Sequence, residues 1–303
     1  MTIIAGQTVL LTGASRGIGV FIARALAKEK ATVVGVSRSQ EGLGQVATKV
    51  KALGGQWIGI PYDISRVEEL PALVEQINQL AGSIDILINN AGIEIYRNFQ
   101  DYSTADLQSV LSTNLLAAME LSRLVLPTML SLGSGHIVNI ASLAAKKGPA
   151  YNSIYSASKA GLLMWSDAVR QELAGTGVGI SVICPGYISQ QGMFADTGIP
   201  APSLSGTSKP EDVASTVIRA IKQNEAEVVV NQDPMTVGTT RLLLALCQIF
   251  PGFGDKVYQW IGVTKLNQLR AEKQMRVASK PSESRTMVTA TPDGEIRKTQ
   301  DCS

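Results

Sequence analysis

The chain has 303 residues, 45% apolar and 17% charged, which bounds it to one large globular domain or at most two small ones. A formal charge of +2 and only 5% aromatic residues argue against a nucleic-acid partner. Cys184, Cys247 and Cys302 stand far apart with no C-x-x-C, so neither a disulfide framework nor a bound metal is expected.

The first strand, 8–11, follows the N-terminus almost at once, without the charged start, long apolar run and cleavage site of a signal peptide. No uninterrupted apolar run reaches the roughly 18 residues of a spanning helix, so a cytoplasmic enzyme is expected. Helix 19–28, strand 31–36, helix 40–53, strand 56–61, helix 67–80 and strand 84–88 then alternate. Residues 104–132 read as two helical stretches broken at or just before Pro127. Strand 136–140, helix 154–174, strand 179–183, helix 211–223 and strand 226–230 complete the pattern. Short apolar strands separated by helices predict an α/β fold: a Rossmann doubly wound parallel sheet of about seven strands, with helices on both faces. Residues 190–208, rich in Gly, Pro and Ser, read as a long loop. The expected division is a catalytic domain over 1–235, a helical extension over 236–278, and a disordered polar tail over 279–303. From Thr236 onward the chain holds 10 Lys/Arg against 6 Asp/Glu, so its last fifth is mildly basic.

Between the first strand and first helix lies Thr12-Gly13-Ala14-Ser15-Arg16-Gly17-Ile18-Gly19. Gly13 permits the sharp exit from the strand. Gly17 and Gly19 let backbone approach a pyrophosphate and let the helix pack closely. The helix N-terminus offers unpaired N–H groups to phosphates, so Gly13, Ser15, Arg16, Gly17, Ile18 and Gly19 are expected at a nucleotide. An NAD-preferring site places a carboxylate at the end of the second strand to bind the ribose. Here that strand ends in Val36-Ser37-Arg38-Ser39. Arg38, with Arg16 opposite, would grip a 2′-phosphate, which points to NADP(H).

Tyr155 and Lys159 stand at i and i+4 and share a helix face. The ammonium is expected to lower the phenol's pKa from about 10, making Tyr155 a general acid/base. Ser142, thirteen residues earlier and just after a strand, can reach the same substrate oxygen. The turn spacing and Y-x-x-x-K, with Asn89-Asn90-Ala91-Gly92, Thr113-Asn114-Leu115 and Pro185-Gly186, resemble the short-chain dehydrogenase/reductase family over roughly residues 5–230.

The resemblance implies a hydride exchanged between NADP(H) and a small-molecule carbonyl or secondary alcohol. Tyr155 would hand its proton to the carbonyl oxygen. Lys159 would hold the nicotinamide ribose, Ser142 would polarise the carbonyl, and Asn114 would hold a water leading from Lys159 to solvent. Asp63 and Ile64 would sit at the adenine, and Asn90, Ala91 and Gly92 beside the adenosine ribose. Pro185, Gly186, Ile188 and Ser189 would reach the nicotinamide, Ser189 standing where the family usually has Thr. His136, the only histidine, has no ligand pattern around it and reads as structural.

The run 241–250 is unusually apolar, and Trp260-Ile261 follows. Two readings stay open: a helix over the substrate cleft or against a sister subunit, or a peripheral membrane contact through 239–265, with Arg241, Lys256 and Lys265 near headgroups. Both point to a lipophilic substrate of steroid, retinoid or long-chain acyl ketone type. The substrate pocket is expected mainly from 143–152, 187–208 and the extension. By family analogy a homodimer or homotetramer is expected through 104–132, with Leu107, Leu111, Leu115 and the Ala117-Ala118 pair suited to the contact. Two other functions compete: an NADP-dependent epimerase or dehydratase, for which Asp196 is a remote extra acid, and an inactive NADP-sensing protein.

Overall fold

The computed structural model describes residues 2–202, 205–231 and 233–278; the expected tail over 279–303 lies outside them. In chain order the elements are β1 (Thr8–Thr12), α1 (Ile18–Lys28), β2 (Thr32–Ser37), α2 (Gln40–Lys51), β3 (Gln56–Pro61), α3 (Leu70–Ala81) and β4 (Ile86–Asn89). Then come α4 (Thr104–Leu111), α5 (Ala117–Leu132), β5 (Gly135–Ile140), α6 (Ser153–Glu172) and β6 (Val178–Pro185). The last are α7 (Met193–Asp196), α8 (Pro210–Gln223), β7 (Glu227–Val230), α9 (Pro234–Ile249), α10 (Pro251–Trp260) and α11 (Val263–Ala278).

Among the described residues seven parallel strands form one sheet in the order β3-β2-β1-β4-β5-β6-β7. Alternation along β1 shows why both faces are covered. Val9 and Leu11 pack with Ile22, Leu26, Val213 and Val217 of α1 and α8, while Leu10 faces Leu73, Ile77 and Leu121 of α3 and α5. Strand order reverses between β1 and β4, so the segments leaving those two strands diverge and open a crevice at the carboxyl edge.

Residues 104–132 depart from expectation. They form a continuous helix that passes through Pro127, and its irregularity is a π-turn at Ser112–Leu116. Pro127 is exposed, as is Arg123 one turn earlier, so the carbonyl that loses its partner there faces water and the helix need not break. By length and hydropathy alone this helix could cross a membrane, but Glu120 and Arg123 interrupt it and Ala117, Leu121, Val125 and Met129 fill the core. Ala117 and Ala118 are buried in the chain's own interior, which removes them from the expected subunit contact. Leu116, Leu130 and Leu132 are the exposed leucines on this helix.

The extension begins with α9 at Pro234, two residues before the expected boundary. There the Asp233 carboxylate caps the helix by accepting from the Thr236 backbone N–H at 3.0 Å. Leu244 and Cys247 turn inward, whereas Leu242, Leu246 and Ile249 face outward.

Candidate active site

A cavity of about 640 Å³ runs along the carboxyl edge of the sheet. One end is lined by Gly13, Ser15, Arg16, Gly17 and Ile18 of the first turn, by Ser37 and Arg38 after β2, and by Asp63 and Ile64 after β3. Asn90, Ala91 and Gly92 form its floor, and Pro185, Gly186 and Ile188 its far side.

The glycines act through backbone closeness. A Cβ on Gly13, whose φ is +66°, would fall 2.7 Å from the Ala91 Cα; a Cβ on Gly19 would strike the Gly13 carbonyl oxygen. Gly19 is therefore a packing residue that lets α1 seat on the turn, and it does not line the cavity. Asn90 locks the turn to β4: its Nδ2 donates to the Thr12 and Gly13 carbonyls at 2.9 and 3.2 Å. This open cradle of backbone, with basic Arg38 at one end and Tyr155 at the other, fits a nicotinamide dinucleotide.

At the phosphate-ribose end, the Ser37 hydroxyl donates to Ser15 Oγ at 2.6 Å, and Ser39 Oγ caps α2 by accepting from Gly42 N. Burial pushes the Asp63 carboxyl up, but bonds from Ser65 and the charges of Arg38 and Arg66 outweigh it and leave it below its ordinary value. Arg16 pairs with Asp196 at 2.8 Å, both largely exposed, so Arg38 is the guanidinium that carries the expectation for a 2′-phosphate. Asp196 is engaged there and does not line the cavity, so it does not supply the extra acid named for the epimerase reading.

The other end brings Ser142, Tyr155 and Lys159 together. Tyr155 and Lys159 lie on the first two turns of α6 and are buried; the Lys159 ammonium sits 5.8 Å from the centre of the Tyr155 ring. Lys159 Nζ donates to the Ile140 carbonyl at 2.7 Å, which anchors it at the end of β5. Ser142 and Tyr155 line the same stretch of the cavity, and the Ser142 hydroxyl acts to lower the Tyr155 pKa. Burial lowers the Lys159 pKa to about 8. The Tyr155 phenol moves opposite to expectation: burial first, and the Glu94 carboxylate second, raise it above its ordinary value, and the Ser142 hydroxyl offsets only part. Spacing alone shows the ammonium but not the depth of the site, and depth sets the sign.

Asn114 sits on the π-turn, buried behind Gly92. The wide turn aims its amide at Ile93: Oδ1 accepts from Ile93 N at 2.8 Å, and Nδ2 donates to the Ile93 carbonyl at 2.9 Å and to Ser158 Oγ at 3.1 Å. A Cβ on Gly92 would meet Asn114 Oδ1 at 3.4 Å and Lys159 Nζ at 3.5 Å, so the two polar groups converge there. Ser189 is not brought to the cavity; its hydroxyl donates to the Ser208 carbonyl at 3.1 Å, tying the two ends of the substrate loop. His136 lies at the opposite, amino edge of the sheet, fully buried against Ser181 Oγ at 2.9 Å, and burial lowers its pKa to about 4.

Sequence reasoning missed part of the cavity's polar wall, Glu94 and Tyr96, whereas Asn152 falls in the expected stretch 143–152. Glu94, Tyr96 and Asn152 line the cavity, with Asn152 Nδ2 donating to Glu94 Oε1 at 2.5 Å. Burial raises the Glu94 carboxyl. Glu94 stands two residues after the N-N-A-G run, a position that could have drawn notice. The facing wall is apolar: Leu143, Leu243, Leu244, Ile261 and Val263. The extension thus covers the cleft with one face while the other remains outside.

The profile of the short-chain dehydrogenase family matches residues 7–198. The ketoacyl reductase HetN of Nostoc sp. (strain PCC 7120) is 60% identical over 276 residues, covering 91% of this chain and 96% of that protein. An uncharacterized oxidoreductase of Staphylococcus aureus (strain MRSA252) is 33% identical, covering 74% and 94%. A metagenomic short-chain oxidoreductase crystallised with NADP superposes with a TM-score of 0.66 at 30% identity, over 77% of this chain and 99% of that one. A putative short-chain alcohol dehydrogenase from Sinorhizobium meliloti 1021 gives a TM-score of 0.67 at 29% identity, over 75% and 96%. With matching sequence, matching sheet and a tyrosine, lysine and serine gathered on one cleft, the chain belongs to the short-chain dehydrogenase family and is an oxidoreductase.

Proposed function

We propose that the protein is an NADP(H)-dependent reductase of a lipophilic ketone, best matched by a long-chain acyl ketone. The observation that carries this reading is one continuous cavity with the glycine cradle and Arg38 at one end and Ser142, Tyr155 and an apolar wall at the other. The NADP held by the metagenomic relative and the ketoacyl reductase name of the Nostoc relative point the same way.

Bound in the cradle, the dinucleotide supplies the hydride. The first turn and Arg38 would hold its phosphates, and Lys159 and Asn90 its riboses. Ser142 orients the carbonyl and donates a hydrogen bond to its oxygen. Tyr155 donates the proton that turns that oxygen into a hydroxyl. Burial keeps the phenol protonated, which suits the reductive direction. Lys159, charged at neutral pH, stands ready to stabilise the phenolate left behind, and Asn114 fixes the backbone beside it.

The test is consumption of NADPH, against NADH, with ketoacyl thioesters of graded chain length. Tyr155→Phe is expected to lower kcat by about 10²–10⁴-fold while NADPH still binds. NADPH binding with no turnover of any carbonyl by the unaltered protein would favour the sensor reading. A second reading concerns location: the outward side of the extension, where Leu242 is 64% and Trp260 78% exposed beside Arg241 and Lys256, contacts an anionic lipid surface.

A further inference from the structure

Arg270 is 1% exposed, although it belongs to a mostly polar helix at the end of the described chain. Its guanidinium is the meeting point of four separate segments. Nη2 donates to the Pro200 carbonyl at 2.8 Å and the Ile199 carbonyl at 3.4 Å, and Nη1 to Asn267 Oδ1 at 2.6 Å. It lies 5.1 Å from the centre of the Phe194 ring, 5.7 Å from Tyr96 and 5.9 Å from Tyr187. Its charge also acts on the Glu94 carboxylate, which Asn152 Nδ2 hydrogen-bonds. Burying a guanidinium is costly, and an apolar side chain of similar volume usually stabilises a core as well, so such a seat is better explained by the arrangement it imposes.

We propose that Arg270 is a positioning residue for the reductase reaction: from the C-terminal helix it holds the substrate loop around Phe194–Pro200 and the Tyr96–Glu94–Asn152 wall in the closed geometry of the substrate chamber. This rests on the reading given under Proposed function. Its neighbours work in the same direction. Lys273 Nζ donates to the Thr197 carbonyl at 2.6 Å, and Gln274 Oε1 accepts from Tyr96 N at 2.8 Å. Asn267 Nδ2 donates to the Ala150 carbonyl at 3.0 Å, just before the catalytic helix. Asn152, bonded to Glu94, lies directly ahead of α6, and its carbonyl accepts from Ser156 N at 3.0 Å. The contacts of α11 therefore reach the N-terminus of the helix that carries Tyr155 without touching the reacting atoms. On its other side the same loop meets the cofactor turn through Arg16–Asp196 and through Gly192, against which a Gly17 Cβ would rest at 3.3 Å. The loop is thus held between cofactor and extension, and Arg270 is its buried anchor on the extension side.

The experiment compares the full chain with Arg270→Met and Arg270→Lys. It reads kcat and KM for a ketoacyl thioester, the Kd of NADPH, and amide hydrogen exchange over 194–202. Arg270→Met is expected to raise KM by roughly tenfold or more, with a smaller fall in kcat and little change in NADPH Kd. Exchange over 194–202 is expected to accelerate in the same variant. Arg270→Lys is expected to restore little, because an ammonium cannot serve two carbonyls and three ring faces at once. Unchanged KM and unchanged exchange in Arg270→Met would overturn the proposal, as would full rescue by lysine. If both variants fail to fold, Lys273→Met and Phe194→Leu replace them; each should speed exchange in the same segment and raise KM, and no effect from either overturns it. Hydrogen exchange needs no turnover, so failure of the reductase reading and failure of the Arg270 anchor are distinguishable.

Discussion

At one end of the cavity, Gly13 and Gly19 bring backbone against backbone, and Asn90 bolts the turn to β4. At the other end, side chains from 94–96, 187–200 and α11 close the chamber, with Arg270 at their junction. The first construction is local: eight consecutive residues and one strand define it, and nothing larger than hydrogen fits at its tightest point. The second is dispersed over nearly 180 residues of chain, as the bond between Tyr96 and Gln274 illustrates. The backbone-built end is suited to a ligand with an invariant shape, a dinucleotide. The side-chain-built end can be retuned by single substitutions, which suits a substrate chamber.

The sharpest way to break this comparison is at Arg38, where the backbone-built end depends on a single charge. Arg38→Asp should invert cofactor preference, weakening NADPH relative to NADH by roughly 1,000-fold, about 4 kcal/mol, since charge-assisted bonds are replaced by repulsion. Titrating both cofactors by fluorescence checks it; an unchanged ratio would move the phosphate contact to Arg16 and the substrate loop.

A second measurement addresses the amino edge of the sheet, opposite the cavity. His136 is buried neutral, with a pKa near 4 against an ordinary 6.5. A depressed pKa means that the unfolded chain binds the proton first. The stabilisation is therefore whole above pH 6.5 and is lost as pH falls towards 4, amounting to about 3 kcal/mol. Thermal unfolding across that window should show the loss, and a glutamine at position 136 should remove most of the slope. NMR of the single imidazole should show no titration near pH 6.5; a midpoint there would refute the burial argument.

The smallest effect is expected on the outer face of the extension. Trp260→Ser should reduce binding to anionic vesicles a few-fold, with little change in turnover of a soluble substrate. Flotation with and without anionic lipid reads this directly. If the protein ignores vesicles and instead self-associates through that face, the lipid reading fails and a second copy takes its place.

Much of this molecule is legible in its sequence. The alternation of strands and helices predicted the sheet, and the glycine spacing, Arg38, Tyr155, Lys159 and Ser142 all reach the expected cavity. Those signals are local, set by backbone conformation within a strand-turn-helix unit or by one turn of helix. Pro127 misled because proline's cost depends on which way the freed carbonyl faces, a matter of tertiary exposure. Ser189 misled because family position says where a residue sits, not where its hydroxyl turns.

The sequence by itself determined the fold class and which glycines and which candidate tyrosine, lysine and serine meet at one cavity, because each is encoded in spacing shorter than one supersecondary unit. Only the tertiary structure decided the sign of the Tyr155 shift, the carboxylate beside it and the burial of Arg270. Desolvation and long-range charge depend on what the whole chain packs around a group, and no local pattern carries that information.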